Sequence, residues 1–428
     1  MTITALRGTY DILPPQSYIW EKAESQARKM FALYGYSELR TPIIEQTQLF
    51  SRSIGENTDI VSKEMYTFAD RKGRSITMRP EATAPVVRAY IEHKLYKDQS
   101  LCKFYYIGPM FRYERPQAGR NRQFYQLGTE ILGTEHPYHD AESISLAVSY
   151  FKSLGIDNIV VKINSVGDAE SKQKYNSILK NFFAGSLDTM CPDCNTRFEK
   201  NTLRMLDCKV PACKEIIKNA PPLNENLNDA SKTHFESVLA LLDKMKIAYE
   251  IEPRLVRGLD YYTNTIFEIT HSHLGSQDAL GGGGRYNNLI AEMGGPQTGA
   301  VGFAVGIDRL VIVLEKMTAN NSTITAGSDL DLYILNLDNA LFTDHAELLH
   351  SLRQHDIRAD ICTEQKSFKA QMRSANKANA RFVLIQGQNE RDNNIFKLKD
   401  MINGTEEDIK TINNNVDIDK LVERIRQS

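Results

Sequence analysis

The stretch FRYERPQAGRNRQFYQLGTE, Phe111 to Glu130, sets four arginines between two alternating runs, KFYYIGPMFRYE and RQFYQLGTEIL. Along a strand, side chains two apart share a face, so Phe124, Gln126 and Glu130 look the same way. In the first run Arg112 and Glu114 share a face. If the two polar faces coincide, one cavity wall combines a cation for phosphate, a ring for a base, and acceptors for a polar ligand. A solvated sheet face is the plainer alternative for such a hairpin taken alone.

Other segments add to that chemistry. In AVGFAVGIDRL, Gly302 leaves room for something flat or bulky to approach a strand, and Arg309 falls in the first turn of the next helix. Free N–H groups there attract anions, and a guanidinium strengthens a phosphate site. No P-loop G-x-x-x-x-G-K-[ST] or dinucleotide G-x-G-x-x-G occurs in a suitable setting, so any ATP must be gripped by arginines and sheet. RGLDYY sets Arg257 five residues before Tyr262 beside a strand, and GGGGRY lets backbone approach a ligand closely. Pro80 opens a helix with Glu81 in its first turn, at a strand-to-helix corner. Cys191-x2-Cys194 and Cys208-x4-Cys213 have nearly zinc-like spacing, which leaves a structural zinc and four reduced thiols both open.

These residues need a scaffold, and a chain of 428 residues with 41% hydrophobic and 25% charged residues has an ordinary globular composition. Its net charge of −2 gives no global cationic field, so nucleic acid would have to meet a local basic surface. The start, MTITALRGTYDILPP, lacks a basic region followed by an apolar run, and AVGFAVGIDRLVIVL is interrupted by Asp308 and Arg309. A cytoplasmic protein with no membrane contact is expected.

Trp20, Ala23, Ala27, Met30 and Phe31 make a helical stripe. Alternating strands then mix with helices, which predicts an α+β fold over residues 1–325 with an inserted module at about 170–226. Thr318 to Ser328 reads as a polar linker, followed over 328–428 by alternating strands and helices of a separate α/β domain. Lys366, Lys369, Arg373 and Lys377 recur there at spacings of three or four, as on a solvated helix face.

Taken in order, these segments resemble the class II aminoacyl-tRNA synthetases, and among them the histidyl-tRNA synthetases. The carriers are LRGTYDILPP, YGYSELRTPIIEQTQLFSRSIGENTDIV as motif 1, TMRPEATAPVVRAY, GPMFRYERPQAGRNRQFYQLGTE as motif 2, RGLDYY with GGGGRY, and AVGFAVGIDRL as motif 3. The general motifs are moderately specific, whereas RGLDYY with GGGGRY is highly so. The resemblance implies a class II antiparallel sheet with flanking helices, a homodimer through motif 1 and a C-terminal α/β anticodon-binding domain. It also implies L-histidine, ATP with Mg2+, and tRNA(His) as ligands.

By the same resemblance, Arg112 and Arg257 are the catalytic cations on the α-phosphate, Arg257 serving where other class II enzymes rely more on metal. Arg309 would bind the γ-phosphate and Phe124 stack on adenine, with Glu114 and Arg120 completing the ATP site. Glu81 and Gln126 would bind the amino end of histidine and Glu130 and Tyr262 its imidazole, with Tyr261 beside them, while Ala82, Thr83, Tyr286, Arg112 and Arg257 would also belong to the histidine site. Gln117 and Arg122 would meet the tRNA end, and Lys366, Lys369 and Arg373 the anticodon stem. The chain departs from the family at Asn121 and Tyr125, where tyrosine and histidine are common, at Asn287 for aspartate, and in GIDRL for GLERL. Two rivals remain: a non-catalytic relative that regulates histidine biosynthesis, usually without the last domain and without motif arginines, and a zinc-dependent RNA-binding protein.

Overall fold

The structure is a computed structural model that describes residues 2–55, 58–275, 278–319, 330–412 and 415–427. The chain divides into two compact units, Met1–Ile324 and Thr325–Ser428.

Alternating residues build the larger unit around an eight-stranded sheet. Its order is Ser37–Glu38, Cys102–Phe111, Gln123–Leu132, Ala300–Gly306, Ala279–Arg285, Thr263–His271, Ile159–Ser165 and Glu250–Ile251. The six inner strands are antiparallel throughout, and only the two-residue edge strands pair in parallel. Period-2 alternation divides the side chains between the faces. Leu127 and Ile131 pack with Trp20, Ala23, Ala27 and Phe31 of helix Gln16–Leu33 and with Leu310 of helix Ile307–Ala319. Phe124 and Leu132 belong to a second apolar cluster on the opposite side, with Tyr261, Tyr262 and Tyr286.

Three expectations are corrected. The strand of the first alternating run stops at Phe111, so Arg112 and Glu114 lie in the hairpin loop rather than on one strand face. The helix after Pro80 begins at Thr83, because the Glu81 carboxylate accepts the N–H groups of Thr83 (2.7 Å) and Ala84 (3.0 Å) and so caps it from outside. Thr318 belongs to the helix Ile307–Ala319, while most of the expected linker, from residue 320 onward, lies outside the described residues.

The expected insertion is helical, with Ala169–Phe183, Pro192–Lys200 and Pro211–Ile217 joined by short 3-10 turns. The smaller unit has a six-stranded sheet in which Ala359–Ile361, Leu332–Ile334 and Phe382–Ile385 run parallel, as the alternating strands and helices required. Antiparallel strands from Ile395 onward complete it.

Candidate active site

The hairpin, the Glu81 corner, RGLDYY, GGGGRY and the Ala300–Gly306 strand meet around one cavity of about 1040 Å³. Period 2 aims Phe124, Gln126 and Glu130 into it from a single strand. Glu130 is almost wholly buried; its Oε1 accepts from Thr83 Oγ1 at 2.7 Å and its Oε2 from the Tyr286 hydroxyl. Burial, the largest effect, pushes its pKa up to about 8, against the lowering effect of those two hydroxyls. Glu81, equally buried, is likewise raised by desolvation against its helix N–H bonds.

The tyrosines form an aromatic wall, with ring centroids 4.8 Å apart for Tyr261 and Tyr262 and 5.6 Å for Tyr261 and Tyr286. The Gln126 side-chain oxygen is buried and accepts no hydrogen bond among the described residues, so it offers an acceptor to an entering N–H group. These groups can hold a small polar molecule carrying both donors and acceptors.

Arginines line the cavity as well. Arg112 is placed by its Nε, which donates to the Pro80 carbonyl at 2.9 Å, and its guanidinium stands 5.2 Å from the Phe124 ring centroid. Arg257 pairs with Glu268, and Arg120 with Glu114. Arg309, in the first turn of its helix, donates to the carbonyls of Gly119 (3.0 Å) and Ala279 (2.9 Å). Burial lowers the Arg309 pKa, and the positive charges of Arg120, Arg112 and Arg257 lower it further. Cations close enough to repel one another this way suit a polyanion.

Of the expected site residues, Glu81, Thr83, Arg112, Glu114, Arg120, Phe124, Gln126, Glu130, Arg257, Tyr261, Tyr262, Tyr286 and Arg309 all line this cavity. Ala82 is buried at the N-cap of the Thr83 helix and is not part of the lining. Gln117 and Arg122 lie outside the lining; Arg122 stacks 4.1 Å from the Tyr113 ring centroid and its backbone N–H donates to the Gly8 carbonyl. Lys369 and Arg373 ride on helix Phe368–Lys377 of the smaller unit, and Lys366, just before it, pairs with Glu364 at 2.6 Å.

Some contributors had gone unrecognised. Tyr106 and Glu268 line the cavity, together with Lys209 and Lys214 of the insertion. Asp308 accepts from the Tyr10 hydroxyl (2.9 Å), Asn121 Nδ2 (3.0 Å) and the Tyr125 N–H (2.8 Å), tying the hairpin to the Arg309 helix. Its signal was present in GIDRL and Asn121, two departures from the family pattern that meet in space, whereas residue 125 contributes only its backbone N–H.

The four cysteines of the insertion also converge, their sulfurs all within 4.8 Å of one another. Among the described residues no other group of three or more cysteine, histidine, aspartate or glutamate side chains could share an ion.

Comparison with known proteins fits this geometry. The family described as "Histidyl-tRNA synthetase" matches residues 8–310, and that described as "Anticodon binding domain" matches 331–428. A histidine–tRNA ligase of Natranaerobius thermophilus is 48% identical over 402 residues, 94% of this chain and 95% of that one. One of Halothermothrix orenii is 46% identical over 422 residues, 99% of this chain and 100% of that one. Among solved structures, the apo histidyl-tRNA synthetase of S. aureus superposes with a TM-score of 0.81 at 38% identity, covering 99% of this chain and 100% of that one. An ATP phosphoribosyltransferase regulatory subunit/histidyl-tRNA synthetase from Bacillus halodurans, at 19% identity and a TM-score of 0.61 over 88% and 97% of the two chains, shares the fold.

Proposed function

The chain belongs to the histidyl-tRNA synthetase family, and from that premise we infer that it is a histidine–tRNA ligase acting on L-histidine, ATP and tRNA(His). The histidine carboxylate oxygen attacks the α-phosphorus of ATP, the bond to the bridging oxygen breaks, and pyrophosphate leaves. A terminal adenosine hydroxyl of the tRNA then attacks the acyl carbon of histidyl-adenylate, loses its proton, and AMP leaves.

The observation that carries this proposal is the convergence of Arg112, Arg257 and Arg309, from three distant stretches, on the cavity that also holds Glu130. Arg112 and Arg257 stabilise charge that builds on the α-phosphate, and Arg309 holds the γ-phosphate. Phe124 stacks on adenine, with Arg120 and Glu114 beside it. Mg2+ bound with the nucleotide would supply charge neutralisation on the phosphate oxygens.

Glu81 and Gln126 take the histidine ammonium, alongside Thr83. Neutral imidazole offers one N–H and one bare nitrogen, which suit the Glu130 carboxylate and the Tyr262 hydroxyl, with Tyr261 and Tyr286 packing the ring. An apolar amino acid would leave both protein groups unpaired, which discriminates by roughly 10⁴ without editing.

The smaller unit binds the anticodon stem through Lys366, Lys369 and Arg373. Two chains pair through motif 1, in which Ile43 and Ile44 are exposed, next to the exposed Phe68 of strand Tyr66–Ala69. No helix among the described residues is long and apolar enough to cross a membrane.

A non-catalytic regulator is not favoured, because the motif arginines line the cavity and the last domain is present. Histidine-dependent exchange of pyrophosphate into ATP is the deciding assay. Robust exchange is expected with histidine alone among the amino acids, and its absence from active-site-titrated protein would remove the assignment.

A further inference from the structure

The four-cysteine set lies outside the chemistry above, yet two of its members, Cys191 and Cys208, border the same cavity. Cys194 and Cys213 are fully buried and Cys208 nearly so, and all four are free thiols. Tetrahedral coordination at a Zn–S distance of about 2.3 Å separates sulfurs by roughly 3.8 Å. Cys191 Sγ and Cys208 Sγ stand 3.7 Å apart, and no pair exceeds 4.8 Å. That spacing is too long for a disulfide and too tight to enclose an iron–sulfur cluster, but it fits one ion. The Cys191 N–H donates to Cys213 Sγ at 3.2 Å, the kind of backbone bond that steadies a thiolate ligand.

The helical segment between the two cysteine pairs gives this arrangement a purpose. Arg197 and Arg204 both hold Asp59 Oδ2, at 3.1 and 3.3 Å. Arg204 also donates to the Gly258 carbonyl at 2.7 Å, and Asn201 to Asp260 at 2.9 Å. Gly258 and Asp260 lie within RGLDYY, between Arg257 and Tyr261. The thirteen residues between Cys194 and Cys208 thus grip the backbone that presents a phosphate cation and the aromatic wall.

We propose that the four cysteines bind one zinc ion, and that this ion staples both ends of segment 195–207 so that it holds the RGLDYY loop in its working position. Each thiol gives up its proton to solvent as it binds. Soft thiolates select zinc over the hard cations that accompany nucleotides. Closing the loop at its base removes conformations that would otherwise release Asp59, Gly258 and Asp260 together. The first half stands on the sulfur geometry alone; the second rests on the ligase reading of the cavity.

Elemental analysis of full-length chain, expressed with zinc and exchanged into metal-free buffer, should find about one zinc per chain. Cobalt(II) in its place should show thiolate-to-metal charge transfer and tetrahedral visible bands. The Cys194→Ser/Cys213→Ser double variant should lose the metal, and Cys102→Ser, outside the cluster, should keep it. Well under one zinc per chain, iron in its place, or full zinc content in the double variant would overturn the site.

Should the double variant misfold, chelation of the unaltered chain followed by zinc re-addition gives the same reading. Amide hydrogen exchange over 195–207 and 257–262 should quicken reversibly, by at least about tenfold, on chelation. Unchanged protection there overturns the staple. A zinc-replete chain without histidine-dependent pyrophosphate exchange would instead sink the ligase reading and leave the metal count standing.

Discussion

Gly302 pairs with Glu130 across two antiparallel strands, and a Cβ on Gly302 would stand 1.9 Å from Glu130 Oε2. The room left by this glycine is taken by the carboxylate itself rather than by a ligand. Gly302→Ala must therefore push Glu130 off Thr83 and Tyr286 or shift the strand. Overpacking of this sort costs about 1–3 kcal/mol. The variant should fold with reduced stability and lose about 100-fold in kcat/KM for histidine while KM for ATP moves little. Unaltered histidine kinetics in folded Gly302→Ala would show that the carboxylate position does not matter.

Glu130, with a pKa near 8, is largely protonated at neutral pH in the empty site. If the imidazole N–H needs a carboxylate acceptor, KM for histidine should fall as pH rises through about 8 and level off above it. Glu130→Gln cannot titrate, so its KM should be higher and flat across that range. Glu130→Ala should weaken histidine activation far more than ATP binding. Parallel pH profiles in the unaltered chain and Glu130→Gln would assign the titration elsewhere.

Asp140 and Arg285 form a wholly buried ion pair, with Arg285 also donating to the Thr134 carbonyl (2.8 Å) and Asn287 (3.1 Å). Burial alone would raise the Asp140 pKa, but Arg285 and His234 hold it down to about 2, below its ordinary 3.8. A depressed carboxylate stabilises the fold above its unfolded pKa, and that contribution fades as pH falls from about 4 to 2. Arg285→Met leaves Asp140 buried without its main partner and should cost about 3–5 kcal/mol in urea denaturation at pH 7. A loss under 1 kcal/mol would mean the pair relaxes into solvent.

Arg309 and Arg112 should separate kinetically. A cation on the outer phosphate contributes to binding, so Arg309→Ala should chiefly raise KM for ATP. One at the reacting phosphorus acts on the transition state, so Arg112→Ala should lower kcat by about 100-fold or more. Equal effects of both substitutions on KM and kcat would erase the distinction.

In the smaller unit, Lys369→Ala/Arg373→Ala should weaken tRNA binding and flatten its log–log salt dependence by about 1.5, as expected for two lost phosphate contacts. Pyrophosphate exchange without tRNA should be unchanged. An unaltered salt slope would return this helix face to ordinary solvation.

The legible part of the site was that fixed by local periodicity. Phe124, Gln126 and Glu130 could be placed together because a strand repeats every two residues. Arg112 could not be placed that way, since its strand ends one residue earlier and the Pro80 carbonyl fixes it instead. Glu268 was hidden because its meeting with Arg257 depends on sheet register: it pairs with Gly282, and a Cβ on Gly282 would lie 3.0 Å from Arg257 Cζ. Asn121, Tyr125 and Asp308 each looked like a modest departure when taken singly. Their shared hydrogen bonds, which join residues up to 187 apart in the chain, exist only in three dimensions.

Each guanidinium at the phosphate end rests on an acceptor of its own: Arg112 on the Pro80 carbonyl, Arg120 on Glu114, Arg257 on Glu268, and Arg309 on Gly119 and Ala279. If ATP binds as proposed, its phosphate oxygens would take over from these acceptors as partners of the cations, so the charges would be paired both before and after the nucleotide enters.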